Sequence, residues 1–281
     1  MLEQDYEPIE YVVVDGASTD GSVDVIRRYE DRLAWWTSEQ DRGQPHALNK
    51  GFARTSGAYI GFLNSDDTLL PGAVSRLVGE LEHHPEALVA YGDAVFVDER
   101  SGESYRGKSR RWGLPAMVQA ATGTVMQPAS LWRRRAWELA GPFDETYQNW
   151  FDVLFFINVA RFGPAAYIED ALATYRLHRE SKTDVATDRR HTEEMLRIAE
   201  EFFSGPELPR ELRPYARSAR AAFYRRAAWG FYSCGDIPAA RRSLLKSIPL
   251  RPRMSRKTLR LLVRTLAPEP LVRLRHRAAR R

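Results

Sequence analysis

The chain has 281 residues, 43% hydrophobic and 28% charged, which is enough apolar material for a buried core and far from disordered or collagen-like compositions. A single cysteine, Cys234, excludes an intrachain disulfide, and the six scattered histidines form no Cys/His cluster with zinc spacing, so a reducing compartment is expected. The formal charge of +5 is uneven: residues 207–281 carry 20 Lys and Arg against 4 Asp and Glu, the rest 22 against 33, so an acidic body bears a basic tail.

The first two thirds alternate strand-like and helix-like patterns, which predicts an α/β sheet, mostly parallel, with helices on its faces. Residues 9–14 read as a strand ending at Asp15 and Gly16, with Ser18 and Thr19 as N-caps for a helix over 21–29. A strand over 33–37 precedes a helix over 45–55 entered through Pro45. Residues 58–63 form a buried-strand pattern that stops at Asn64-Ser65-Asp66-Asp67. Val74, Leu77, Val78 and Leu81 then have helical spacing, and residues 88–97 return to strand. Beyond a basic stretch at 106–111, strands are expected over 124–132 and 165–175, with a helix between them over 151–162 and a polar connection over 181–188.

From Arg189 the pattern is helical, broken at Gly205-Pro206, at Gly235 to Pro238 and at 249–252. This divides the chain into 1–188 and a basic helical region, 189–281. Ala228, Trp229, Gly230, Ala239, Ala240, Leu244, Leu245 and Pro249 resemble one tetratricopeptide-like helix pair, without a second copy at a fixed period. Leu259, Leu262, Val263 and Leu266 make one apolar stripe with Lys257, Arg260 and Arg264 between them, either an interfacial helix or a helix packed on the preceding pair. The longest apolar runs, such as 153–159, fall short of the roughly 18 residues that would span a bilayer, and residues 1–30 show no signal peptide.

Ligands of α/β sheets gather beyond the carboxyl ends of strands, which singles out two acidic turns. At Asp15 to Gly21 a carboxylate meets a glycine-containing turn; it can accept hydrogen bonds from a base or ribose, or simply belong to a capped strand-to-helix turn. At Asn64 to Asp67 two adjacent carboxylates suit a hard divalent cation, Mg²⁺ or Mn²⁺, whose other ligands a diphosphate would supply; a solvated turn is the alternative.

Three segments in order, Tyr11 to Ser22, Asp41 to Gly51 and Gly57 to Asp67, resemble the family 2 glycosyltransferases with the GT-A fold. Gln127-Pro128, Gly141-Pro142-Phe143-Asp144-Glu145, Trp150-Phe151-Asp152 and Tyr175 to Ser181 are similar to that family's later landmarks, so the resemblance covers about residues 1–185. It implies a Rossmann-like GT-A domain followed by an all-helical region. It also implies an inverting transfer from a nucleotide-sugar donor to a glycan or lipid-linked acceptor, in cell-surface polysaccharide biosynthesis at the cytoplasmic side. By the resemblance, Asp15, Arg42, Asn49, Lys50 and Asp66 contact the donor, Asp67 with Asp66 holds the metal, His178 closes over the donor or joins the metal, and Asp152 is the catalytic base. As an independent possibility, Asp152 is an N-cap for the helix that follows it.

Two departures from the family pattern stand out. The strand and turn that precede Gln4-Asp5-Tyr6 in relatives are not in this sequence, so further residues upstream are expected. Gly16 stands where many relatives have aspartate. A different class of function is a non-catalytic binding or scaffold protein on a degenerate GT-A domain. The basic tail suits peripheral contact with an anionic membrane, and without a recognised reading module no nucleic-acid partner is expected.

Overall fold

The computed structural model describes residues 1–178, 181 and 189–266. The chain divides into two compact units, Met1–Gly113 with Gly123–His178, and Leu114–Thr122 with Arg179–Arg281. The polar connection expected over 181–188 lies outside the described residues, Ser181 apart.

In the first unit, β1 (Val12–Asp15) and β2 (Trp35–Ser38) pair in parallel across α1 (Ser22–Arg27). Next come α2 (Gln44–Phe52), β3 (Tyr59–Ile60), β4 (Thr68–Leu69), α3 (Ala73–His83), β5 (Val89–Asp98), β6 (Ser104–Gly107), β7 (Ser130–Arg133), α5 (Arg134–Ala140), α6 (Phe151–Val159) and β8 (Ala165–Leu177). The intervening α4 (Leu114–Ala120), which periodicity does not flag, belongs to the second unit.

The larger sheet has the order β3-β7-β5-β8-β4, with β6 also on β5. It is mixed: β5 and β8 run parallel, while β3–β7, β5–β7, β5–β6 and β4–β8 are antiparallel. The α/β architecture is as expected, but the sheet is mixed rather than mostly parallel, because antiparallel pairs enter through short strands that alternation alone detects poorly.

Helix α3 buries Ala73, Val74, Leu77, Val78 and Leu81, the predicted stripe, against the sheet. Its N-terminus is satisfied from the start of the chain: Gln4 Oε1 accepts from Val74 N at 3.1 Å, and Asp5 Oδ1 accepts from Ser75 Oγ at 2.8 Å. The expected strand over 58–63 shortens to β3, since the Phe62 carbonyl is taken by the Gln127 amide at 2.6 Å rather than by a strand neighbour. The predicted strand at 124–132 likewise starts only at Ser130, because Gln127–Ala129 forms a 3-10 turn around Pro128.

Ser18 and Thr19 do not cap α1, contrary to expectation: the cap position is Gly21, and the Ser18 N–H is already held by Asp15. Asp152 is not an N-cap either; that position is Trp150, and Asp152 lies in the first turn of α6, where a carboxylate suits the helix dipole.

Helix α6 is apolar nearly all round and sits in an aromatic core. Phe155 meets the rings of Trp132, Trp137, Phe143 and Phe156 at centroid distances of 5.3, 5.7, 5.1 and 5.5 Å. Phe52 and Phe62 extend this cluster toward α2 and the acidic turn.

In the second unit, α7 (Arg189–Arg197) runs into a π-turn at Ile198–Phe202, followed by α8 (Ala216–Ser233), α9 (Ile237–Ser247) and α10 (Arg256–Leu266). The pair α8 and α9 realises the tetratricopeptide-like segment, with Asp236 capping α9 by accepting from Ala239 N at 3.0 Å. Leu244 of α9 and Leu261 of α10 pack with Ala228 of α8. No helix among the described residues is long and apolar enough to cross a membrane.

Removing the Phe155 ring leaves a cavity in the aromatic core. Phe155→Ala is expected to lower the unfolding free energy by about 3–5 kcal/mol in a urea titration; a loss under about 1 kcal/mol would show that the core does not depend on this cluster.

Candidate active site at the strand ends

Two residue pairs between β4 and β8, Thr68 with Thr174 and Leu69 with Ala173, bring the turn at Asn64 to Asp67 against the end of β8. Asp67 Oδ1 therefore accepts from the Arg176 backbone N–H at 3.1 Å, and its Oδ2 accepts weakly from Asn64 Nδ2 at 3.4 Å. One residue upstream, Asp66 Oδ2 lies 3.0 Å from Nε2 of His178. The structure thus joins Asp66, Asp67 and His178 from segments more than 100 residues apart in sequence.

The two carboxylates have different surroundings. Asp67 is 6% exposed, whereas the Asp66 side chain retains 33% of its surface. Burial is the main influence on Asp67 and, with help from the Asp66 charge, lifts its pKa from an ordinary 3.8 to about 6 against the opposing Arg176 and Asn64 hydrogen bonds and His178. No Lys or Arg side chain bonds to it among the described residues. Oxygen donors from two carboxylates, one of them desolvated and without a cation, suit Mg²⁺ or Mn²⁺. Among the described residues no three His, Cys, Asp or Glu side chains are grouped as a ligand cluster, so Asp66, Asp67 and His178 do not together form the expected three-residue set.

Asp15 is nearly buried at the end of β1, where its Oδ2 accepts from Ser18 N at 2.9 Å and Ser38 Oγ at 2.6 Å. Burial raises its pKa, but the Ser18 and Ser38 hydrogen bonds outweigh that and hold it below the usual range. Ser38 is a partner that the sequence does not suggest, since it comes from the neighbouring strand. A Cβ on Gly16 would lie 2.8 Å from Asp41 Oδ2, so an aspartate at 16 would crowd a like charge.

The segment after Asp41 is tied into the same region. Gly43, at φ 109°, lies directly under the Gln148 amide, where a Cβ would be 1.9 Å from Oε1. Gln148 Nε2 donates to the Arg42 carbonyl at 3.2 Å, and Gln44 Nε2 donates to Asn64 Oδ1 at 2.6 Å. Arg42 pairs with Glu145 Oε2 at 2.6 Å. Asn49 holds the Phe143 backbone by both groups, donating to its carbonyl and accepting from its N–H at 2.9 Å each. Lys50 pairs with Glu39 at 2.8 Å. Burial raises the Glu145 pKa, and the bonds from Arg42 and Asn49 more than reverse it. Phe62 stacks 6.1 Å from Phe151, the residue before Asp152, linking the start of α6 to the strand that leads to the acidic turn.

This arrangement of acidic turns beyond a mixed sheet has counterparts in known proteins. Residues 1–155 match the description "Glycosyl transferase family 2". The chain belongs to that family. An uncharacterised glycosyltransferase from Nostoc sp. is 26% identical over 200 residues, 63% of this chain and 58% of the relative. Escherichia coli chondroitin synthase is 23% identical over 64% of this chain and 26% of its own length. The chain therefore spans 58% and 26% of these two relatives. Among solved structures, Staphylococcus aureus TarS 1–349 in complex with UDP-GlcNAc aligns with a TM-score of 0.63 and 18% identity, covering 99% of this chain and 81% of that one. The mannosyltransferase PcManGT from Pyrobaculum calidifontis, in complex with GDP-Man and Mn²⁺, aligns with a TM-score of 0.56 and 19% identity over 93% of this chain and 72% of that one. These likenesses establish the GT-A fold.

The raised pKa of Asp67 has a definite sign for stability. Between pH 3.8 and about 6 the folded state holds a proton that the unfolded chain releases, so stability falls as pH rises through that window and the penalty is complete above it. Asp67→Asn is therefore expected to raise the unfolding free energy by about 1–3 kcal/mol at pH 8 in metal-free buffer, with the gain vanishing at pH 3.5. A variant less stable than the parent at pH 8 would contradict the reading of Asp67 as a carboxylate held against its preference.

Proposed function

We propose that the chain transfers a sugar from a nucleotide-sugar donor to a glycan or lipid-linked acceptor, with inversion at the anomeric carbon, in the assembly of a polysaccharide at the cytoplasmic face of the membrane. The observation that carries this reading is the desolvated Asp67 carboxylate beside Asp66 and His178 at the strand ends. The ligands of the two structural neighbours, UDP-GlcNAc and GDP-Man, support a nucleotide sugar without selecting one.

In this reading Asp67 and Asp66, with His178 beside them, would hold Mg²⁺ or Mn²⁺, and such an ion would supply positive charge against the departing diphosphate. Asp15, kept ionised by Ser18 and Ser38, accepts hydrogen bonds from the nucleoside. Arg42 and Lys50 line the same pocket from the side of α2, exchanging their present carboxylate partners for donor oxygens. Asn49 positions the 141–145 loop through the Phe143 backbone. Asp152 takes the proton from the acceptor hydroxyl as its oxygen bonds to the anomeric carbon and the bond to the nucleotide oxygen breaks. A single displacement of this kind inverts the centre, and holding both substrates in line removes much of the entropic barrier.

The scaffold alternative gives no reason to retain a buried carboxylate that opposes folding at neutral pH. A cation-dependent reaction does, because the stability lost at the site is the counterpart of its affinity for the ion.

A panel of nucleotide sugars assayed for hydrolysis or transfer, with and without Mn²⁺ or Mg²⁺, tests the reading. Metal-dependent turnover of at least one donor is expected. Asp67→Ala should lower it at least about a hundredfold, and Asp152→Asn should lower kcat by about 10²–10⁴. Turnover that ignores EDTA and survives Asp67→Ala would refute the assignment.

A further inference from the structure

Of the apolar stripe read from the sequence of α10, Leu262 alone is partly covered in the structure. Leu261, outside that stripe, is buried with Thr258 and Thr265 on the face that packs on Ala228 and Leu244. Leu259, Val263 and Leu266 point elsewhere and are 50%, 61% and 61% exposed. Spaced i, i+4 and i+7, they form a continuous ridge along the solvent side of one helix. Arg256, Lys257, Arg260 and Arg264 are all exposed on the neighbouring face of the same helix. None of the four makes an ion pair among the described residues, and α10 contains no acidic residue.

The helix is firmly held. Ser255 Oγ accepts from Thr258 N at 3.2 Å at its N-terminus, Arg241 Nε donates to the Thr265 carbonyl at 2.8 Å near its C-terminus, and Leu261 is fully buried. The ridge is thus a fixed feature, and its burial on folding is prevented by the packing of the opposite face.

A row of apolar side chains alongside an unneutralised cationic stripe matches the boundary between lipid headgroups and acyl chains. Self-association through this face would set like-charged stripes against each other in a two-fold arrangement. Nucleic acid would use the cations and leave the ridge exposed to water. We propose that α10 docks this surface on a membrane rich in anionic lipid, with Leu259, Val263 and Leu266 entering the interface and Lys257, Arg260 and Arg264 meeting headgroup phosphates. The inference is independent of the catalytic reading, since it rests on residues of the second unit alone, and it supplies a location for a lipid-linked acceptor.

Co-sedimentation of the full chain with vesicles of phosphatidylcholine alone, and of phosphatidylcholine and phosphatidylglycerol in equal amounts, tests it. Binding is expected only to the anionic vesicles. The variant Leu259→Ser/Val263→Ser/Leu266→Ser should bind at least about tenfold more weakly, and Arg260→Glu/Arg264→Glu on the order of a hundredfold more weakly, with donor turnover in solution unchanged in both. A Val263→Cys chain in a Cys234→Ser background, labelled with an environment-sensitive fluorophore, should shift its emission to the blue on anionic vesicles. Absence of binding to anionic vesicles, undiminished binding by the triple-serine variant, an unshifted label, or a lipid-free dimer that the triple-serine variant abolishes would each overturn the proposal.

Discussion

The short pairing of β4 with β8 governs where the acidic turn ends up. Two residue pairs suffice to draw Asp67 out of water and set it under the Arg176 N–H, while Asp66 stays at the rim beside His178. Adjacent carboxylates in a free turn would be equally solvated; here one is desolvated and its neighbour stays partly open. The same turn is tied to the start of α2, where Gln44 donates to Asn64.

The loops that meet it are held by side-chain hydrogen bonds rather than by long strands. Gln44 on Asn64, Gln148 on the Arg42 carbonyl and Asn49 spanning the Phe143 backbone make three ties among separate segments. Behind them lies the aromatic cluster of Phe62, Phe143, Phe151 and Phe155, which provides rigid backing where β3 is only two residues long. Precision at the strand ends is thereby obtained from packing and buried amides.

What could be read in the sequence follows the range of the interactions involved. The α3 stripe, the apolar α6 and the long β5 and β8 are legible because their periodicity is local. Asp15 could be placed at a strand end for the same reason, whereas Asp66 and Asp67, expected directly after a strand over 58–63, lie in the turn that leads from β3 into β4. Their partners could not: Ser38 meets Asp15 through strand pairing, and Arg176 reaches Asp67 across 109 positions. Ser18 does not cap α1: it turns back on Asp15, and the helix starts only after Gly21. In α10 the sequence stripe leaves out Leu261, the leucine that packing turns inward, and consists mostly of residues that stay exposed, Leu259, Val263 and Leu266.

Catalysis in the proposed reading depends on Asp67 being a carboxylate that burial holds against ionisation until a cation arrives. A ¹³C NMR titration of the Asp67 side-chain carboxyl, assigned by difference from Asp67→Asn, measures this directly. The predicted result is a midpoint at about 6 without metal, moving well down when Mg²⁺ and a nucleoside diphosphate are added together. A midpoint in the ordinary aspartate range, unmoved by Mg²⁺ and the diphosphate, would contradict it.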